Sequence, residues 1–121
     1  MSVREAVLRV GWPDELERNT ELFAGVQRAN ELLREELGRA MRSVTADWKL
    51  VRDHRDRPLL ELTLADVYTN NQATEEFAPA ELQDETNLGN RLHRLWGRLL
   101  HARSDDLIKQ LREIAIQAEG D

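Results

Sequence analysis

Residues 13–42, PDELERNTELFAGVQRANELLREELGRAMR, are the stretch on which the fold turns. Within and around it Leu16, Asn19, Phe23, Val26, Asn30, Leu33, Leu37 and Ala40 recur at alternating gaps of three and four residues, the spacing that keeps one seam of a helix against a partner. Pro13 suits a first helical turn, and Asp14, Glu15 and Glu17 set negative charge at the positive end of the helix dipole. The spacing predicts a long helix from about Pro13 to Arg42. Gly25 and Gly38 each cost it roughly 1 kcal/mol relative to alanine, but both fall off the seam.

Such a helix would be about 45 Å long, against a diameter of about 35 Å for a compact chain of this size. It should therefore overhang its own domain and expose an apolar seam that a second chain would cover. Asn30, an asparagine among core positions, can bond its symmetry mate and fix register. The expected interface is Phe23, Val26, Asn30, Leu33 and Leu37, in a homodimer or with another protein. The same seam also suits a helix lying across its own sheet, with Leu22 and Ala29 broadening the stripe.

Outward from this segment the period changes. Trp48, Leu50 and Arg52 alternate with Lys49 and Val51, and Leu60, Leu62 and Leu64 alternate with Glu61, Thr63 and Ala65, which predicts a hairpin whose loop is residues 54–57. Pro58 opens the second strand, where its missing donor does least harm. Asn70 and Asn71 mark a turn before a short third strand, Gln72 to Phe77. Upstream, residues 3–10 suggest a short helix carrying Val3, Val7 and Val10, stopped by Gly11.

Pro79 and Glu81 read as a helix entry, with a brief turn ending near Gln83. Thr86 is the expected cap of a helix to about Arg103. Ser104, Asp105 and Asp106 look like a fresh cap for a last helix to about Ala118, although the two helices can also be one. The expected fold is α+β in one domain, residues 1–121. It comprises a long N-terminal helix (about 13–42), an antiparallel β-meander of two to three strands (about 47–77), and C-terminal helices (about 79–118) packed on one face.

Composition bounds the function. The 121 residues are 40% hydrophobic and 33% charged with no cysteine, which excludes a disulfide framework, thiolate metal ligands and a cysteine nucleophile. The start, MSVREAVLRVGW, has no unbroken apolar run, so neither a signal peptide nor a membrane span is expected, and a cytoplasmic location follows. A net charge of −6 disfavours broad affinity for nucleic acid or anionic lipid. The charge is uneven, however. Residues 47–85 carry four basic and ten acidic side chains, whereas Thr86 to Arg103 holds four arginines, two histidines and no acid.

On a helix, Arg91, Arg94, Arg98 and His101 fall within an arc of roughly 80°, beside an apolar arc of about 140° formed by Leu88, Leu92, Leu95, Trp96, Leu99 and Leu100. That row is a candidate anion or nucleic-acid contact. The plainer expectation is a core helix whose arginines find partners in the acidic middle segment. The acidic side chains Glu75, Glu76, Asp84 and Glu85 are in turn a possible contact for a basic partner.

No motif carries chemistry. His54-Arg55-Asp56 copies three letters of a kinase catalytic loop without a phosphate loop or the length of a kinase. His101 and Asp105 lack further metal ligands at a recognised spacing. No serine sits in a strand-to-helix elbow, and the adjacent acids Glu75/Glu76 and Asp105/Asp106 do not face each other across a cleft. The expectation is a small interaction or oligomerisation module, an adaptor or accessory subunit, with no catalytic residues, cofactor or metal. Anion or nucleic-acid binding is the alternative.

Overall fold

The computed structural model describes residues 8–119 as an α+β fold whose elements run β1 (Arg9–Gly11), α1 (Asp14–Glu17), α2 (Thr20–Leu37), a 3-10 turn (Gly38–Arg42), β2 (Val44–Arg52), β3 (Pro58–Asp66), β4 (Gln72–Phe77), a second 3-10 turn (Pro79–Gln83) and α3 (Glu85–Glu119). The strands form one mixed sheet in the order β1-β2-β3-β4, with β1 parallel to β2 and the other pairs antiparallel.

The long N-terminal helix expected over residues 13–42 is not there. Asn19 divides it: its backbone is extended, and its side chain accepts a hydrogen bond from the Leu22 amide at 3.2 Å, capping α2. A short polar side chain that bonds the nearby backbone competes with a continuing helix, so a residue counted into the seam is instead a start signal. At the other end Gly38 adopts a positive φ of 53° and its N–H returns to the Arg34 carbonyl, which closes α2 after 18 residues. Gly25 is passed without a break for a different reason. A Cβ there would come within 3.0 Å of Leu82 Cβ, so the missing side chain lets α2 approach the second 3-10 turn.

The sheet is larger than the meander expected, because β1 adds a fourth, parallel strand, with Arg9, Val10 and Gly11 beside Thr45, Ala46 and Asp47. The helix expected over residues 3–10 lies mostly outside the described residues, and its described end is this strand instead. Gly11 serves no helix end. A Cβ on it would sit 2.8 Å from Asp47 Oδ1, the tip of an exposed side chain on the neighbouring strand. The parallel pairing needs a long crossover, which α1 and α2 supply.

The β2–β3 hairpin runs in register from Val44 opposite Asp66 to Arg52 opposite Pro58. Its loop is organised by Asp53, whose Oδ1 accepts from the amides of Arg55 at 2.8 Å and Arg57 at 2.9 Å, while Asp56 supplies the left-handed residue at φ 60°. The Arg57 amide, with smaller contributions from Arg55 and the Arg57 side chain, holds the Asp53 carboxyl below its ordinary value.

One face of the sheet is apolar. Val44, Ala46 and Trp48 of β2, Leu60, Leu62 and Leu64 of β3, and Phe77 of β4 pack against Val26, Ala29, Leu33 and Leu37 of α2 and against Leu88, Leu92, Leu95 and Leu99 of α3. The strict alternation of β3 follows from burying one face only. The other face carries Asp47, Lys49, Glu61, Thr74 and Glu76, with Thr63 and Thr74 hydroxyls 3.0 Å apart across β3 and β4.

The two C-terminal helices are a single element. Pro79–Gln83 is a 3-10 turn, and α3 then runs unbroken for 35 residues through Ser104, Asp105 and Asp106. Its start is capped by Asp84, whose Oδ1 accepts from the Asn87 amide at 3.3 Å, rather than by Thr86. At about 52 Å, α3 is the helix that exceeds the span of a compact chain of this length.

Candidate functional site

The α2 seam is interior. Val26, Asn30 and Leu33 are fully buried, Leu37 is nearly so, and Phe23 is half-buried against Trp12, ring edge to face at 5.5 Å. Asn30 meets no symmetry mate. Its Oδ1 accepts from Trp48 Nε1 at 2.8 Å across the helix–sheet layer, and its Nδ2 is buried with no hydrogen-bond partner among the described residues. The proposed interface residues are thus brought together, but by the chain's own sheet. Sequence could not choose between the two, because a seam that fits a sheet and one that fits a second helix share a period.

The arginine row is also engaged at home. Arg91 donates to Glu75 Oε1 at 2.8 Å, pairs with Glu81 and reaches the Glu76 carbonyl, with its guanidinium carbon 4.4 Å above the centroid of the Phe77 ring. Arg98 donates at 2.9 Å to the Thr74 carbonyl and to Glu75 Oε2. Glu75 lies on the helix-facing side of β4, in register with Leu62, which is why one carboxylate reaches two arginines. Together these contacts occupy carbonyl groups of an edge strand that would otherwise be open to pairing with another chain.

Arg94 is exposed and makes no ion pair among the described residues, His101 lies 3.4 Å from Asp105, and His93 is paired with Glu36. The shallow cleft these side chains line with Gly97 therefore offers little free positive charge. Of the acidic residues, Glu75 is spent on these arginines and Glu85 faces Arg28 at 3.7 Å, while Glu76 and Asp84 are exposed. Among the described residues no group of His, Cys, Asp or Glu side chains could hold a metal ion, and no helix is long and apolar enough to cross a membrane.

A surface not anticipated lies further along α3. Beyond Arg103 the helix leaves the body of the molecule, and Leu107, Leu111 and Ile114 are 58%, 59% and 62% exposed, flanked by Leu100 and Ile108. The departure point is held by a polar clamp. Asp66, fully buried at the end of β3, forms an ion pair with Arg103, its carboxylate 2.8 Å from Nε, and accepts hydrogen bonds from the Thr69 hydroxyl at 3.0 Å and the Tyr68 amide at 3.0 Å. One turn on, Asn71 Nδ2 donates to Asp106 Oδ2 at 2.7 Å. The β3–β4 turn, with Asn70 at φ 61°, thereby fixes the point at which α3 departs and sets the exposed Tyr68 beside it.

The signal for this surface was present: Leu100, Ser104, Leu107, Leu111 and Ile114 repeat the four-three spacing of α2. Reading Ser104 and the two aspartates as a new cap cut it in two. Comparison with family models, with curated proteins and with solved structures gives no match.

Proposed function

We propose that this protein is a protein–protein interaction module whose docking surface is the projecting half of α3. The observation that carries the reading is the exposure of Leu107, Leu111 and Ile114 on one side of a helix that the body no longer covers. Together with Leu100 and Ile108 they leave on the order of 500 Å² of apolar side chain in solvent, the upper range of the largest patches on monomers, about 300–600 Å². Covering it is worth about 12 kcal/mol by area, of the same size as the ~4–15 kcal/mol that association costs. A stable partner must therefore bring apolar surface of its own.

The anion-binding alternative loses support, because Arg91 and Arg98 are committed to Glu75, Glu81 and the β4 edge. The α2 seam loses its role as an outer surface for the same kind of reason. The test is a photo-reactive residue placed at Leu111 of the full chain in the cells that express it, with the same residue at Arg55 in the hairpin loop as control. Protein adducts at Leu111 and none at Arg55 are expected. No adduct at Leu111 would overturn the reading.

A further inference from the structure

At 100° per residue, Leu100, Ser104, Leu107, Ile108, Leu111 and Ile114 occupy an arc of about 120° on α3. Asp105, Asp106, Lys109, Arg112 and Glu113 lie outside that arc, and Arg103 and His101 fall about 20° beyond its two edges, so no charged side chain lies within it. Such a face is self-complementary in charge: laid against its own copy, it brings no like charges together.

Resting on the interaction reading above, we propose that the occupant of this face is a second copy of the chain, its α3 crossing antiparallel about a two-fold axis level with residue 109. In that register Leu107 faces Leu111 of the partner subunit, and Ile108 meets the partner's Ile108 at one margin. Ser104, the small residue of the seam, faces the partner's Ile114. Small against large fills the layer, whereas a parallel pair would set serine against serine and leave a gap.

The base of the projecting helix also offers a seat, a cleft lined by Thr69, Leu100, Arg103, Ser104 and Leu107, and the partner's Ile114 lies opposite it. Two such faces bury on the order of 1,000 Å² of apolar side chain in total, about the least that a specific interface needs. The antiparallel sense places the two bodies at opposite ends of the helix pair, where their bulk does not compete for space.

Light scattering on a size-exclusion column, over a hundredfold range of concentration, tests this on the full chain. Twice 14.0 kDa is expected at the upper end, and Leu111→Glu should weaken the dimer by at least about a hundredfold, leaving 14.0 kDa throughout. Because Leu111 is solvated in the single chain, the variant should retain the wild-type circular dichroism, and Leu107→Glu repeats the test at a second position. A monomer at every concentration, or a dimer that both variants leave intact, overturns the proposal. A monomer that still gives Leu111 adducts with another protein would sink the self-pairing while leaving the interaction reading in place.

Orientation has its own readout, since the native chain has no cysteine. Ile108→Cys should form a disulfide-linked dimer under mild oxidation and Leu100→Cys should not, because in the antiparallel pair the two Leu100 positions stand about 27 Å apart along the axis. The reverse pattern would overturn the antiparallel arrangement.

Discussion

Two helices of this protein carry apolar seams with the same four-three spacing, and their surroundings separate them completely. On α2, Val26 and Leu33 are fully buried beneath Trp48 and the leucines of β3, whereas on α3 Leu107, Leu111 and Ile114 stand more than half exposed. The side chains are alike in kind and in period. What differs is length and attachment: α2 is closed at 18 residues by Asn19 and Gly38 and fits across the sheet, while α3 continues for 35 with no stop signal and outruns it. A helical period states that a face will be covered, and the reach of the body decides by what.

That contrast can be broken most sharply by equal truncations on the two seams. Leu33→Ala should lower the unfolding free energy by about 2–5 kcal/mol, as cavity-forming substitutions in a packed core do. Leu111→Ala, on chains dilute enough to be monomeric, should change it by less than about 0.5 kcal/mol. Urea denaturation followed by tryptophan fluorescence reads both, and equal losses would mean that α3 is packed along its whole length.

Arg103→Ala comes next, with an expected loss of about 1–3 kcal/mol, since it strips the cation from the buried Asp66 carboxylate. Arg103→Lys should recover part of this, because an ammonium restores the charge without the guanidinium geometry. Hydrogen exchange should quicken at Val67–Asn71 ahead of the β2–β3 ladder. Uniform quickening would show that the clamp does not set the course of α3.

Asn30→Leu sharpens the comparison from the buried side. An asparagine bonding its symmetry mate would, on replacement by leucine, strengthen a helix pair while loosening its oligomeric state. Here Asn30 bonds Trp48, so the substitution should strand the indole N–H, cost about 1–2 kcal/mol and leave the solution mass unchanged. A change in mass would return α2 to the surface.

The smallest effect belongs to the hairpin loop, remote from both seams. The Asp53 carboxyl is held below its ordinary 3.8 when folded, chiefly by the Arg57 amide. The unfolded chain therefore binds this proton first, so Asp53 contributes stability that is present above pH 3.8 and is lost as pH falls through the lower folded value. Acid denaturation of Asp53→Asn should begin from a lower stability and show a shallower loss below pH 4 than the native chain. Identical acid profiles would remove Asp53 as a contributor.

Much of this architecture was legible beforehand where local chemistry is sufficient. The β2–β3 hairpin could be read because alternation with a period of two selects one face, and Pro58 tolerates a strand start. Asn70 could be read as a turn residue because few side chains accept a positive φ. Charge alone predicts acidic partners for the α3 arginines, which Arg91, Arg98 and Arg103 find and Arg94 does not among the described residues, but the particular carboxylate, Glu75, depends on the register of β4 against β3. The parallel strand β1 was not legible at all. Three residues carry too little pattern, and their pairing with β2 is a contact across more than thirty positions of chain.

Neighbouring residues alone disclose the β2–β3–β4 hairpins, the turn at Asn70 and two helical apolar stripes, but not β1, the break at Asn19 and Gly38 or the continuity of α3. Only the tertiary structure decided which stripe faces the sheet and which faces solvent, which carboxylates receive Arg91 and Arg98, and that Asp66 anchors the departure of α3. The physical reason is range. Caps, turns and periodicity act over a few residues, whereas burial is settled by the outline of the whole folded body, to which every element contributes and which no local segment encodes.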